Sequence, residues 1–219
     1  MLQELAQINI LLVDDHPAVR LGIRRLIADE PDLALVAEHG GASADTVEVA
    51  RWADVAVIDY HLGDRDGLWL AEQVKRAGDP PAVLIYSAFA DAHLAVAAIV
   101  AGADGLLPKA TLAEELCVAI RRLASGRQYF PAITPSVAAA VCARLEPTDR
   151  AICSMLIHGL PAVEIGARLG LASSQLAASR RSILEVIAPR AARAHILDAA
   201  RTPLDYDRPR RRLRYSALK

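Results

Sequence analysis

The chain has 219 residues, is 53% hydrophobic and 23% charged, and carries a formal net charge of −1. It has room for one large domain or two small ones, each able to bury a core, and no apolar run reaches the ~18 residues of a membrane-spanning helix. The opening MLQELAQINILLVDD has no basic region ahead of its apolar run and reads as the start of a fold, not a secretion signal.

In chain order, short apolar runs at 8–13, 33–37, 55–58, 82–86 and 105–107 alternate with helical patterns. Val19, Ile23, Leu26 and Ile27 keep helix spacing, as do Leu112, Leu116, Ile120 and Leu123. Runs rich in Val, Ile and Leu without alternation predict strands buried on both faces, as in a parallel sheet. Five βα units with right-handed crossovers predict an α/β fold, a doubly wound five-stranded parallel sheet over roughly residues 1–125. The segment 126–144 reads as a connector holding a short helix. From Pro147 onward only helices are predicted, broken at HGLP and LGLASS, and residues 202–219 read as a flexible basic tail. Three cysteines, Cys117, Cys142 and Cys153, form no C-x-x-C pair, which predicts reduced thiols and a cytoplasmic protein. Charge is split along the chain. Residues 1–144 hold 12 Lys/Arg against 19 Asp/Glu, net −7; residues 145–219 hold 13 against 7, net +6. Such a split suggests two domains with different partners.

The first run stops on Asp14 and Asp15, and the third on Asp59. In an open parallel sheet, ligands bind beyond the carboxyl ends of the strands, where strand order reverses. With order 2-1-3-4-5, the first and third strands are neighbours and the three carboxylates converge. Close carboxylates repel, and hard oxygen ligands with room for water suit Mg²⁺. The fourth and fifth strands end on the same side and deliver Ser87 and Lys109. Three carboxylates, a hydroxyl and an ammonium suit a phosphoryl group, with Asp59 the best-placed nucleophile.

The stretches LLVDDHP, VAVIDYHLGDRDGL, SA and GADGLLPK together resemble the receiver domain of two-component response regulators, over residues 8–125. The resemblance implies a flavodoxin-like receiver in which Asp59 accepts phosphate from a sensor histidine kinase. It implies that Asp14, Asp15, Asp59 and the backbone carbonyl of His61 hold Mg²⁺, that Ser87 is the switch hydroxyl, and that Lys109 pairs with the phosphate. The chemistry is the protein's own phosphorylation and dephosphorylation, not turnover of an outside substrate. Two positions depart from the family pattern. Leu62 and Gly63 stand where Met and Pro are usual, and Leu106 stands where Tyr or Phe is usual. The His61 side chain is a candidate for tuning water access to the phosphate, and equally for a solvated loop residue.

Residues 146–187 predict three helices, with Gly159 and Gly170 at helix ends. Behind a receiver, the stretch from Leu145 to Leu171 resembles the LuxR-type helix-turn-helix of NarL/FixJ regulators. That resemblance implies a fourth helix over 190–200, closing a domain of residues 145–201. It also implies DNA as partner, transcription control and a homodimer, with no membrane association. The expected contact set is thinned, with Pro161 and Val163 opening the second helix and Ala172, Leu176 and Ala177 in the third. Alanine cannot hydrogen-bond a base edge. Ser174, Gln175, Ser179, Arg180 and Arg181 remain as DNA-binding candidates, and RPRRRLRY in the tail can add phosphate contacts. The alternative is a phosphorylation-controlled protein-interaction module whose helix-turn-helix binds DNA weakly. A metal-dependent phosphatase would need a substrate pocket and a proton-transfer residue, and the sequence offers neither.

Overall fold

The computed structural model describes residues 7–63, 65–76 and 79–199, with side chains in the last helix described through Ala188. The tail expected over 202–219 lies outside the described residues. Strands β1 (Ile8–Val13), β2 (Leu33–His39), β3 (Val55–Asp59), β4 (Ala82–Ser87) and β5 (Gly105–Pro108) form one parallel sheet in the order β2-β1-β3-β4-β5. This is the predicted order, and it puts β1 and β3 side by side, with Leu12 opposite Val57 and Val57 opposite Leu84. Val55 through Ile58 are fully buried, which is why that run is apolar without alternation.

Helices α1 (Pro17–Ala28), α2 (Ala44–Val49), α3 (Gly67–Arg76), α4 (Ala92–Ala101) and α5 (Ala113–Ala124) connect and flank the strands. Pro17 opens α1, where a missing N–H costs nothing. Asp91 caps α4 by accepting from the Leu94 N–H, and Gly102 closes it at φ 91°, a left-handed conformation. A short antiparallel ribbon, His61–Leu62 with Arg65–Asp66, follows β3.

The connector is not free. The Leu106 N–H donates to the Tyr129 carbonyl at 2.8 Å, and the Tyr129 N–H donates to Asp104 O at 2.9 Å, so residue 129 docks on β5 like the start of a sixth strand. A Cβ at Gly105 would lie 2.9 Å from the Tyr129 carbonyl oxygen, so glycine is what permits this approach. Helices α6 (Pro135–Cys142), α7 (Pro147–Ile157), α8 (Ala162–Leu169) and α9 (Ser173–Ala199) follow. The separate fourth helix expected from Arg190 is not formed; α9 runs unbroken through that point.

One apolar cluster under the sheet joins Ile10, Leu12 and Leu84 to Ile23, Ile27, Leu116 and Ile120. The other runs without a break from Leu11, Ile58 and Ile85 through α4 from Leu94 onward to Ile152, Ile165 and Ile183. Helix α4 packs on α9, α7 and α6 as well as on the α/β layer. The two halves therefore share a core.

Candidate phosphoacceptor site

Each side chain of the site is delivered by the end of a strand. Strand β1 ends at Val13 and the chain leaves the sheet at Asp14 and Asp15; β3 ends on Asp59; β4 ends on Ser87; β5 runs into Lys109. The ligand atoms of Asp14, Asp15, His16 and Asp59 all lie within 4.8 Å of one another. Asp14 and Asp59 are almost wholly buried. The Lys109 ammonium sits between them, 2.6 Å from Asp14 Oδ2 and 2.8 Å from Asp59 Oδ2. It also lies 5.8 Å from the centre of the Tyr86 ring.

The electrostatics follow from burial against pairing. Burial pushes the Asp59 carboxyl above its usual value, and the repulsion of Asp14 adds to this, while Lys109 and the His61 backbone N–H hold it back. Burial works against the Lys109 ammonium, but its bonds to Asp14 and Asp59 outweigh that and hold it above the ordinary lysine value. Next to the acceptor, burial raises Tyr60 to about 12, with Asp66 contributing, so its hydroxyl stays neutral.

The donor set fits a hard divalent cation. Asp15 Oδ1 is buried and accepts no hydrogen bond. The His16 Nδ1 lies 2.6 Å from it. A buried carboxylate oxygen without a hydrogen bond, beside two more carboxylates, suits a divalent-cation ligand. His61 follows at the start of the ribbon, its ring exposed and edge-on to Tyr60 at 4.7 Å between centroids.

Ser87 is fully buried, but its hydroxyl is turned to the next loop. It donates to Phe89 O at 2.9 Å and accepts from the Phe89 N–H at 3.1 Å. Leu106 is buried in the α4-side core. Two residues had no assigned role from sequence. His16 joins the acidic cluster. Gly67 donates its N–H to Tyr60 O at 2.7 Å, and a Cβ there would stand 2.2 Å from the Asp59 carbonyl oxygen. The Asp66-Gly67 pair that closes the loop motif was the available signal for Gly67.

The DNA-binding candidates lie on α9 and do not share one environment. Ser174 and Gln175 are exposed, though Gln175 Oε1 accepts from the Ala172 N–H at 2.8 Å and so caps its own helix. Ser179 is half-buried. Arg181 is exposed on the rim of a cleft of about 400 Å³ whose floor includes Tyr60, Leu68 and Trp69 of the α/β layer. Arg180 departs from the DNA-facing position expected of it. Its Nε donates to Val100 O at 2.7 Å, at the end of α4, and burial lowers its pKa. On α8, Val163 is 87% exposed, and Glu164 spends its charge on Arg168 at 2.6 Å.

A five-stranded parallel sheet with buried acids and a bridging lysine at its carboxyl edge defines a signalling receiver, and the helices behind it make the molecule a receiver with an effector. Comparison with known proteins agrees. The family model "Response regulator receiver domain" matches residues 10–121. The transcriptional regulatory protein UhpA of Salmonella typhimurium is 33% identical over 183 residues, 81% of this chain and 90% of that protein. The nitrate/nitrite response regulator NarL of Escherichia coli K12 is 29% identical over 179 residues, 76% of this chain and 82% of that protein. The crystal structure of a LuxR-family two-component response regulator from Aurantimonas sp. SI85-9A1 superposes with a TM-score of 0.54 at 32% identity, over 60% of this chain and 93% of that one. The chain belongs to the response-regulator family, in its NarL/LuxR-type branch. Among the described residues, no helix is long and apolar enough to cross a membrane.

Proposed function

We propose that this protein is a two-component response regulator in which phosphorylation of Asp59 controls transcription through the C-terminal helices. The observation that carries it is the Lys109 ammonium held between two buried carboxylates, Asp14 and Asp59. That arrangement supplies a nucleophile and a fixed counter-charge for a phosphoryl group. In the transfer, a carboxylate oxygen of Asp59 attacks the phosphorus of a kinase phosphohistidine. The P–N bond breaks, and its electron pair leaves on the imidazole nitrogen. Lys109 pairs with the transferred phosphate, and Ser87, once turned from Phe89, donates a hydrogen bond to it. Mg²⁺, held by Asp14, Asp15, Asp59 and the His61 carbonyl, would supply charge neutralisation of the phosphoryl oxygens. The receiver spans about residues 1–125, the connector 126–144 and the helix-turn-helix domain 145–201.

The test is labelling by acetyl phosphate with Mg²⁺. The wild-type chain takes one phosphoryl group, and Asp59→Asn takes none; labelling that survives in Asp59→Asn refutes the site.

A second reading has its own support. Val163 is exposed where a cation would serve DNA, Arg180 is bound to the receiver and Arg168 is paired with Glu164, which leaves Arg181 to carry phosphate contacts at this surface and favours a weak DNA binder. Fluorescence anisotropy on a duplex from the protein's own promoter region separates the two. Binding tighter than to random DNA and lost in Arg181→Ala supports the transcription factor; sequence-blind binding that Arg181→Ala leaves unchanged supports the module.

A further inference from the structure

We infer that the receiver and the C-terminal helical domain are permanently joined along α4 and α9, so that phosphorylation acts without separating them. The inference starts from the sequence of α4, AHLAVAAIVA, which after the exposed His93 in its first turn is apolar throughout. Leu94, Ala95, Val96, Ala97 and Ala98 are consecutive and each is fully buried. Successive residues of an α-helix are about 100° apart, so five in a row sample every direction around the axis. A helix that is apolar all round belongs in an interior, not on a surface that opens to water. The α/β layer covers one side of α4, and α9, α7 and α6 cover the other.

Polar groups finish the joint. The Val100 carbonyl, in the last turn of α4, has no partner within its own helix, and Arg180 donates to it at 2.7 Å. The guanidinium lies on Gly102, where a Cβ would come within 2.6 Å of Nη2, so the bare glycine backbone is what lets the arginine settle there. Arg180 is thus a clasp residue, not a DNA ligand. An opening motion would strip the partner from a half-buried cation and expose the side of the apolar run 94–101 that the C-terminal helices cover. A domain built to detach would carry polar residues along the face it uncovers, and α4 has none at positions 94–98.

The experiment is amide hydrogen exchange on the full-length chain, read by mass spectrometry with and without beryllofluoride and Mg²⁺. In the unliganded protein, the peptides over α4 and over residues 176–187 exchange as slowly as those of β3. With the phosphate mimic, their rates stay within about threefold. Arg180→Ala speeds exchange in α4, and Arg181→Ala does not. Exchange in α4 and α9 that is already much faster than in β3, or that accelerates about tenfold or more with the mimic, overturns the inference. The inference rests on the phosphoacceptor reading only for its second half, and the two fail differently. A mimic that leaves the peptide after Asp59 unchanged counts against the phosphoacceptor site, while the joint is still judged by the unliganded rates.

Discussion

Lys109 settles the local question of how three acids share one end of a sheet. Without a cation between them, Asp14 and Asp59 would face each other in a buried place, at a cost of several kcal/mol. Gly67 acts at the same site through space alone. Its N–H holds the chain after Asp59 in place, and its missing Cβ lets the start of α3 pass beneath the Asp59 carbonyl. Gly67→Ala is expected to lower stability by about 1–3 kcal/mol, because the new methyl must displace backbone. It should also slow acetyl phosphate labelling, since the acceptor loop moves with it. Urea unfolding and a labelling time course check both, and a variant with wild-type labelling would show that the loop is not set by this contact. The acids and the lysine were legible in the sequence because chemistry stands at strand ends, where the apolar runs stop. The orientation of Ser87 was not, because its bonds to Phe89 depend on a loop conformation that no spacing reports.

Among the elements, α5 ties the sheet's far corner to α1 and β2 through Arg121, which reaches Asp32 at 2.6 Å and Glu30 at 2.6 Å. The hydrogen bond from Arg121 holds the Asp32 carboxyl below its usual value. A carboxyl depressed in the folded state contributes stability above its unfolded pKa and loses it as pH falls through the carboxylate range. The cluster is partly solvated, so Arg121→Ala should cost about 0.5–1 kcal/mol at neutral pH. The gap to wild type should narrow as pH falls through the carboxylate range; a gap that does not narrow would mean the loss is one of packing. In α8, the exposed Val163 stands where the family resemblance expects a lysine. If the α8–α9 surface meets DNA, Val163→Lys should tighten duplex binding about threefold and steepen the log affinity–log salt slope by about 0.9. Helix α4 was expected only as the connection within a βα unit, and its enclosure was not legible: from Leu94 to Ala98 it is buried on all sides, so it has no apolar stripe and no 3.6-residue period. Strands β1, β3, β4 and β5 were readable for the same underlying reason, since burial on both faces leaves an unbroken apolar run, whereas the edge strand β2 is only partly buried.

For the whole molecule, the sequence suggested two domains of opposite charge joined by a connector, and the charge split is real. What sequence could not report is docking. Arg180 looks like a DNA ligand when α9 is considered alone and becomes a clasp only when α4 is beside it. A shared core predicts shared unfolding. Both tryptophans, Trp52 and Trp69, lie in the receiver, whereas helical circular dichroism sums over both halves. The two signals should fall on one urea transition with one midpoint. Two midpoints would mean that the halves are independently stable.

The burial of α4 also sets the order in which the chain can be finished during synthesis. The receiver's last helix is complete at residue 124, but the helix that covers α4 is not complete until beyond residue 188. At about 5–20 residues per second, the ribosome leaves a nascent receiver with an uncovered apolar helix for roughly 3 to 13 seconds. For that interval the chain is a natural client for a chaperone, and truncations that end after α5 should come out of the cell as aggregates.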